Sequence, residues 1–155
     1  MAQAGSPLLS VRVLCARALV PLVGVETQVP VMCGILEKMA AAPGEQVVQN
    51  SLHGAILQVM HLLQQWKDAT RKNYLQESRS ILQAILARSW VATSSNTCPI
   101  TRADYLKLLL AAAQSCDTCP ERERVLLALQ DEVSMVMSSV EPGFQVGSCP
   151  RFRLN

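Results

Sequence analysis

The run Gln46–Trp66, QVVQNSLHGAILQVMHLLQQW, restricts the fold of this chain more than any other stretch. Leu52, Ala55, Ile56, Val59, Leu62, Leu63 and Trp66 recur at steps of three and four, which lines one face of an α-helix. Gln58, His61, Gln64 and Gln65 fall mostly on the other side, so one dry and one wet face are expected. Asn50 or Ser51 is placed to cap the start, because a short side-chain oxygen accepts from the unpaired N–H groups of a first turn. Gly54 lies in the first turns and costs about 1 kcal/mol relative to alanine there. That cost points to a close approach on the backbone, by a neighbouring helix or by a partner.

The rest of the chain repeats this pattern. Ser6-Pro7 reads as a cap followed by proline at the first helical position, opening a helix over Leu8–Val23 with Arg12 and Arg17 off its apolar stripe. Pro21 removes an internal hydrogen bond and bends or ends that helix. After Thr27, a second plausible cap, a helix over Val29–Ala42 stops at Pro43-Gly44. Beyond Trp66, the KDATRKN segment gathers Lys67, Arg71 and Lys72 into the densest positive cluster of the chain. A further amphipathic helix covers Tyr74–Ala92, and SSNTCP is a loop. Thr101 to Asp104 resembles a capping box ahead of a short apolar helix, Tyr105–Ser115. A last helix starts near Thr118–Pro120 and carries Leu126, Leu129, Val133, Val136 and Val140. Periodicity ends at Glu141-Pro142-Gly143, so residues 7–140 are expected to form the helical segment and residues 141–155 a disordered tail. About six helices with short connections, paired as hairpins, describe an all-α solenoid in which each pair buries its apolar face on its neighbours.

Composition narrows the function. Half of the residues are hydrophobic but only 4% are aromatic, which favours helix-on-helix packing. A net charge of +2 lacks the broad basic patch of a dedicated nucleic-acid binder, so any RNA contact is local. Arg12, Arg17, Arg102 and the Lys67/Arg71/Lys72 cluster are the candidates for such contact, although solubility explains surface cations equally well. No apolar run approaches the roughly 20 residues that span a bilayer, and no secretory signal opens the chain. The six cysteines are therefore expected to be reduced, in the cytosol.

Cys116-Asp117-Thr118-Cys119 has the CxxC spacing of redox dithiols and half zinc sites. No second pair supplies further ligands, and no βαβ context surrounds it, which leaves two cysteines in a loop between helices. His53 and His61 stand two turns apart on one helix, whereas paired metal ligands on a helix usually stand one turn apart. His53 has no local nucleophile signature beside it and reads as a hydrogen-bonded packing histidine or a partner contact. No phosphate loop, paired-carboxylate motif or methyl-donor-binding string occurs, so no catalytic residue, cofactor or metal is expected.

Three blocks carry a family resemblance: Ala16-Arg17-Ala18-Leu19-Val20-Pro21; Gln49-Asn50-Ser51-Leu52-His53-Gly54 with the following Leu57-Gln58-Val59 and His61-Leu62-Leu63-Gln64; and Pro99-Ile100-Thr101-Arg102-Ala103-Asp104-Tyr105. Their order and spacing over residues 8–115 resemble the thyroid adenoma-associated protein family, with Asn50-x-x-His53-Gly54 the most specific part. The resemblance implies a piece of a long cytosolic solenoid of HEAT or armadillo type. Members act as the regulatory subunit of a tRNA ribose methyltransferase, helping a separate FtsJ-like catalytic subunit to methylate the 2′-oxygen at position 32 of the anticodon loop. That catalytic subunit holds the methyl donor, and the long subunit positions the tRNA. On this reading Asn50, His53, Gly54, Arg102, Lys67, Arg71 and Lys72 are the candidate contacts to the methyltransferase or the tRNA. Two other readings stand beside it: a generic helical-repeat interaction module without an RNA role, and a small thiol or metal protein built on Cys116 and Cys119.

Overall fold

In the computed structural model the described residues are 2–44, 47–68, 74–116, 120, 122, 123, 125–127 and 129. Five α-helices are bounded: α1 Leu9–Leu19, α2 Gln28–Glu37, α3 Gln49–Asp68, α4 Tyr74–Leu86 and α5 Pro99–Gln114. The described residues from 120 onward are helical as well, and no described residue lies in a strand. Single 3-10 turns at Ala2–Gly5, Val20–Leu22, Val25–Thr27 and Ser89–Ala92 fill the connections. The all-α expectation holds, while the expected tail over 141–155 lies outside the described residues.

Helix α3 packs against α1, α2 and α5, α2 packs against α4, and α4 against α5. These neighbours describe two layers, with α1, α3 and α5 side by side in one and α2 and α4 in the other. Consecutive helices α2/α3 and α4/α5 form stacked hairpins, the arrangement of a helical solenoid. Enclosure by three helices explains why α3 is drier than its periodicity suggests. Leu52, Ile56, Val59, Leu62, Leu63 and Trp66 are buried as expected, but Gln58 is buried with them, and only Gln64 of the four expected wet residues is exposed. Among the described residues no single helix is long and apolar enough to cross a membrane.

Helix ends depart from expectation where side chains take over backbone groups. Pro21 ends α1 as expected, and Val23 N donates to Val20 O at 3.3 Å in the turn that follows. Helix α2 stops at Glu37 rather than Ala42. Its last carbonyls are drawn to the connector after α4: Arg88 donates to Glu37 O and Met39 O, both at 3.1 Å, and Trp90 Nε1 to Ala40 O at 2.9 Å. Terminal carbonyls need partners from outside the helix, and here α2 finds them on the next hairpin. Helix α4 ends at Leu86, followed by the turn Ser89–Ala92.

Asn96 then closes the loop into α5. It is fully buried, donates Nδ2 to Val91 O at 2.9 Å, and accepts the Cys98 N–H on Oδ1 at 3.2 Å. Asn96→Ala removes both bonds and strands the Val91 and Cys98 groups, which is expected to cost about 1–2 kcal/mol in a chemical-denaturation titration. Pro99 occupies the first turn of α5, so the helix starts ahead of Thr101. Thr101 is therefore inside the helix and buried, and the expected capping box does not form.

Candidate functional site

The string Asn50 to Gly54 holds three separate neighbours on the first turns of α3. Arg12, which sequence periodicity places off the apolar stripe of α1, is instead turned inward and is 8% exposed. Its Nη1 donates to Asn50 Oδ1 at 2.9 Å, to Ser6 O at 2.6 Å and to Pro7 O at 3.2 Å. One guanidinium thus ties the entry of α1 to α3. One turn on, His53 is 2% exposed and its Nε2 lies 2.9 Å from Asp104 Oδ2 on α5. A carboxylate only accepts, so Nε2 carries the proton and donates. Gly54 meets the third neighbour: a Cβ built there would overlap the carbonyl oxygen of Ala4 and stand 2.9 Å from its carbonyl carbon. The 3-10 turn Ala2–Gly5 can lie on α3 only because position 54 has no side chain.

Asp104 is the electrostatic hinge of this seam. Its Oδ1 accepts from Lys107 Nζ at 2.7 Å while Oδ2 accepts from His53. Burial pushes the carboxyl up, but hydrogen bonds from Lys107 and His53 outweigh it and hold the group below the ordinary carboxylate range. A carboxylate lowered on folding stabilises the protein above its unfolded value near 3.8 and loses that contribution as pH falls through the lower folded value. Denaturant midpoints are therefore expected to fall between pH 5 and pH 3 in the wild type, and less steeply in Asp104→Asn, which cannot ionise. Equal acid sensitivity in both proteins would contradict this account.

The other candidate contacts are scattered. Arg102 is half-buried on α5, with Nε donating to Ala92 O at 3.3 Å. Lys67 is half-buried near the far end of α3, about 20 Å along the axis from His53. Arg71 and Lys72 lie outside the described residues. So Asn50, His53 and Gly54 are brought together, but the positive cluster is not brought to them. Sequence reasoning missed Arg12 and Asp104 as their partners. The first of two arginines in the apolar run of α1, and an acid at the N3 position of an apparent capping box, were the available signals.

Among the described cysteines, Cys15, Cys33 and Cys98 are free, whereas the fully buried Cys116 is disulfide-bonded, contrary to the expectation that all thiols are reduced. Cys119 lies outside the described residues. No group of three metal-ligating side chains is found among those described. A groove of about 670 Å³ opens between the end of α2 and the first half of α3, walled by Ile35, Met39, Val48, Leu52 and Ala55 with Lys38 beside them.

Stacked hairpins stitched by a buried polar seam define a helical-repeat protein. Residues 1–62 match the family model described as Trm732, C-terminal TPR repeats, another helical-hairpin repeat. The tRNA (32-2'-O)-methyltransferase regulator THADA of Mus musculus is 31% identical over 126 residues, 79% of this chain and 6% of that protein. The regulators of the same name from Canis lupus familiaris and Homo sapiens are 35% and 34% identical over 68% and 67% of this chain, and again 6% of their own length. The chain belongs to this regulator family and spans about 6% of the length of these relatives. No solved structure matches it.

Proposed function

We propose that this chain is a non-catalytic segment of a regulatory subunit in tRNA ribose methylation. The methyl transfer, at the 2′-oxygen of position 32 in the anticodon loop, is carried out by a separate FtsJ-like enzyme in the cytosol. The observation that carries this reading is the similarity to proteins named tRNA (32-2'-O)-methyltransferase regulators, which extends over 79% of the chain for the mouse protein. The seam at Asn50, His53 and Gly54 gives the segment its shape, and the half-exposed Lys67 and Arg102, with Arg71 and Lys72, meet the methyltransferase or the tRNA.

The test is capture of the FtsJ-like methyltransferase by the tagged 155-residue chain, beside a full-length relative as positive control. Capture by both supports a partner surface within this segment, and Lys67→Glu or Arg102→Glu should then weaken it. Capture by the full-length relative alone removes a partner surface from this segment. Salt-sensitive tRNA binding by the chain distinguishes this reading from an interaction module with no RNA role, because phosphate contacts weaken as salt rises. The purified chain, given tRNA and a methyl donor without the enzyme, is expected to transfer no methyl group.

A further inference from the structure

Arg12 is only 8% exposed, yet every acceptor it meets is neutral: the carbonyls of Ser6 and Pro7 and the amide oxygen of Asn50, all on Nη1. Its Nε is buried and meets no acceptor among the described residues. A buried cation compensated by dipoles alone is costly, and an anion beside it offsets that cost. The first turns of α1 and α3, which the guanidinium joins, carry no acidic residue to serve. Asp104, the carboxylate on the same seam, is already shared between His53 and Lys107.

Ser6 stands at this junction. Its carbonyl accepts from Arg12 at 2.6 Å, and its hydroxyl accepts the Leu8 N–H at 3.3 Å, at the positive end of α1. No side chain caps the first turn of that helix. Ser6 is half-buried, while Pro7, Leu8, Leu9 and Ser10 after it are exposed. Proline at position 7 biases Ser6 toward extended backbone, the form in which a kinase cleft takes a hydroxyl-bearing segment.

We propose that Ser6 is a phosphorylation site, with Arg12 and the first turn of α1 as the receptor for its phosphate. The donor is a nucleoside triphosphate held by a proline-directed protein kinase. Ser6 Oγ forms a bond to the γ-phosphorus as the bond from that phosphorus to the β,γ-bridging oxygen breaks. The diphosphate leaves with the electron pair, and the hydroxyl proton passes to the kinase's base. The product carries a charge of about −1.5 to −2 at pH 7 and three strong acceptor oxygens. At a helix N-terminus and beside an arginine, such a group gains charge-assisted hydrogen bonds rather than repulsion. The unused Nε of Arg12 and the uncapped N–H groups of α1 are its donors. The modification strengthens the tie that Arg12 makes between the entry of α1 and α3. It needs neither tRNA nor the methyltransferase. Ser10 is the contrast: it is exposed in the same first turn, but residues two apart on a helix do not face each other, so its phosphate misses Arg12.

The experiment uses the full chain with phosphoserine placed at position 6 during translation, and a second chain with phosphoserine at position 10. Phosphorus NMR follows the titration of each phosphate in buffer and in urea. The phosphate on Ser6 is expected to titrate about 1 pH unit lower in the folded chain than in urea, the low end of what an opposite charge at close range does. That on Ser10, which has the helix terminus alone, should move clearly less, and only the phosphate on Ser6 should raise the denaturant midpoint. In parallel, the unmodified chain and Pro7→Ala are incubated with proline-directed kinases and ATP, and peptide mass spectrometry maps the sites. Incorporation at Ser6, lost in Pro7→Ala, is expected. A phosphate on Ser6 that titrates alike in buffer and urea, or shifts no further than that on Ser10, would overturn the proposal. So would loss of the native circular dichroism on phosphorylation, or no incorporation at Ser6.

Discussion

Replacing Trp66 by alanine is expected to destabilise the protein by about 3–5 kcal/mol, the usual cost of emptying a large buried aromatic site. Trp66 is fully buried at the end of α3 and joins it to α4 in two ways. Its ring stacks on Tyr74 with centroids 4.7 Å apart and planes 11° from parallel, and its Nε1 donates to Glu77 Oε2 at 2.8 Å. Alanine removes the stack, the hydrogen bond and the filled volume together. For a chain of this size the melting temperature should fall on the order of 10 °C, read by the helical circular-dichroism signal. Trp66→Phe keeps most of the volume and a ring for Tyr74 but loses the donor to Glu77, so about 1–2 kcal/mol is expected. Equal losses for the two variants would mean that the hydrogen bond, rather than packing, dominates the site.

Gly54→Val is expected to cost about 1–3 kcal/mol and to lift the segment Ala2–Gly5 off α3. Two effects compete at this position. Residues other than proline improve helix propensity over glycine, by about 1 kcal/mol for alanine. Against that stands overlap with the backbone of Ala4, which no rotamer change relieves. Hydrogen exchange should locate the damage, with protection lost at Gly5 and Leu8 before the core of α3. Removing residues 1–5 is a sharper check, because it removes the obstacle. In that background Gly54→Ala should become stabilising by about 1 kcal/mol, and a loss there instead would mean that another group crowds position 54.

How much of this was legible in the sequence depends on the range of the interaction. Helix identity is local, and the three-and-four spacing of Leu52, Ile56, Val59 and Trp66 revealed the buried face of α3 directly. Glycine at 54 was legible as a close approach, since its helix cost demanded a reason, but the identity of Ala4 as the visitor was not. Helix ends were less legible, because their carbonyls are taken by residues some 50 positions away, as Arg88 takes Glu37 O and Met39 O. The histidine was readable only as a choice between packing and contact. Asp104 decided it, and in sequence Asp104 looked like part of a cap. Arg12 was misread for a similar reason: periodicity says which way a side chain starts, but not that a long arginine reaches carbonyls and an amide on the inner side. Charges that act through other helices leave no periodic trace.

The central position of α3 also sets an order in time. Both α1 and α2 find a main packing partner in α3, which begins at Gln49. A ribosome builds the chain from its N-terminal side, so α1 and α2 are made before α3 and exist without that partner until it has followed them out. During that interval their leucines and valines face water or a chaperone rather than a core. Packing of α1 and α2 is thereby tied to the completion of a single later helix, and a nascent chain halted before Gln49 carries two helices with no surface on which to close.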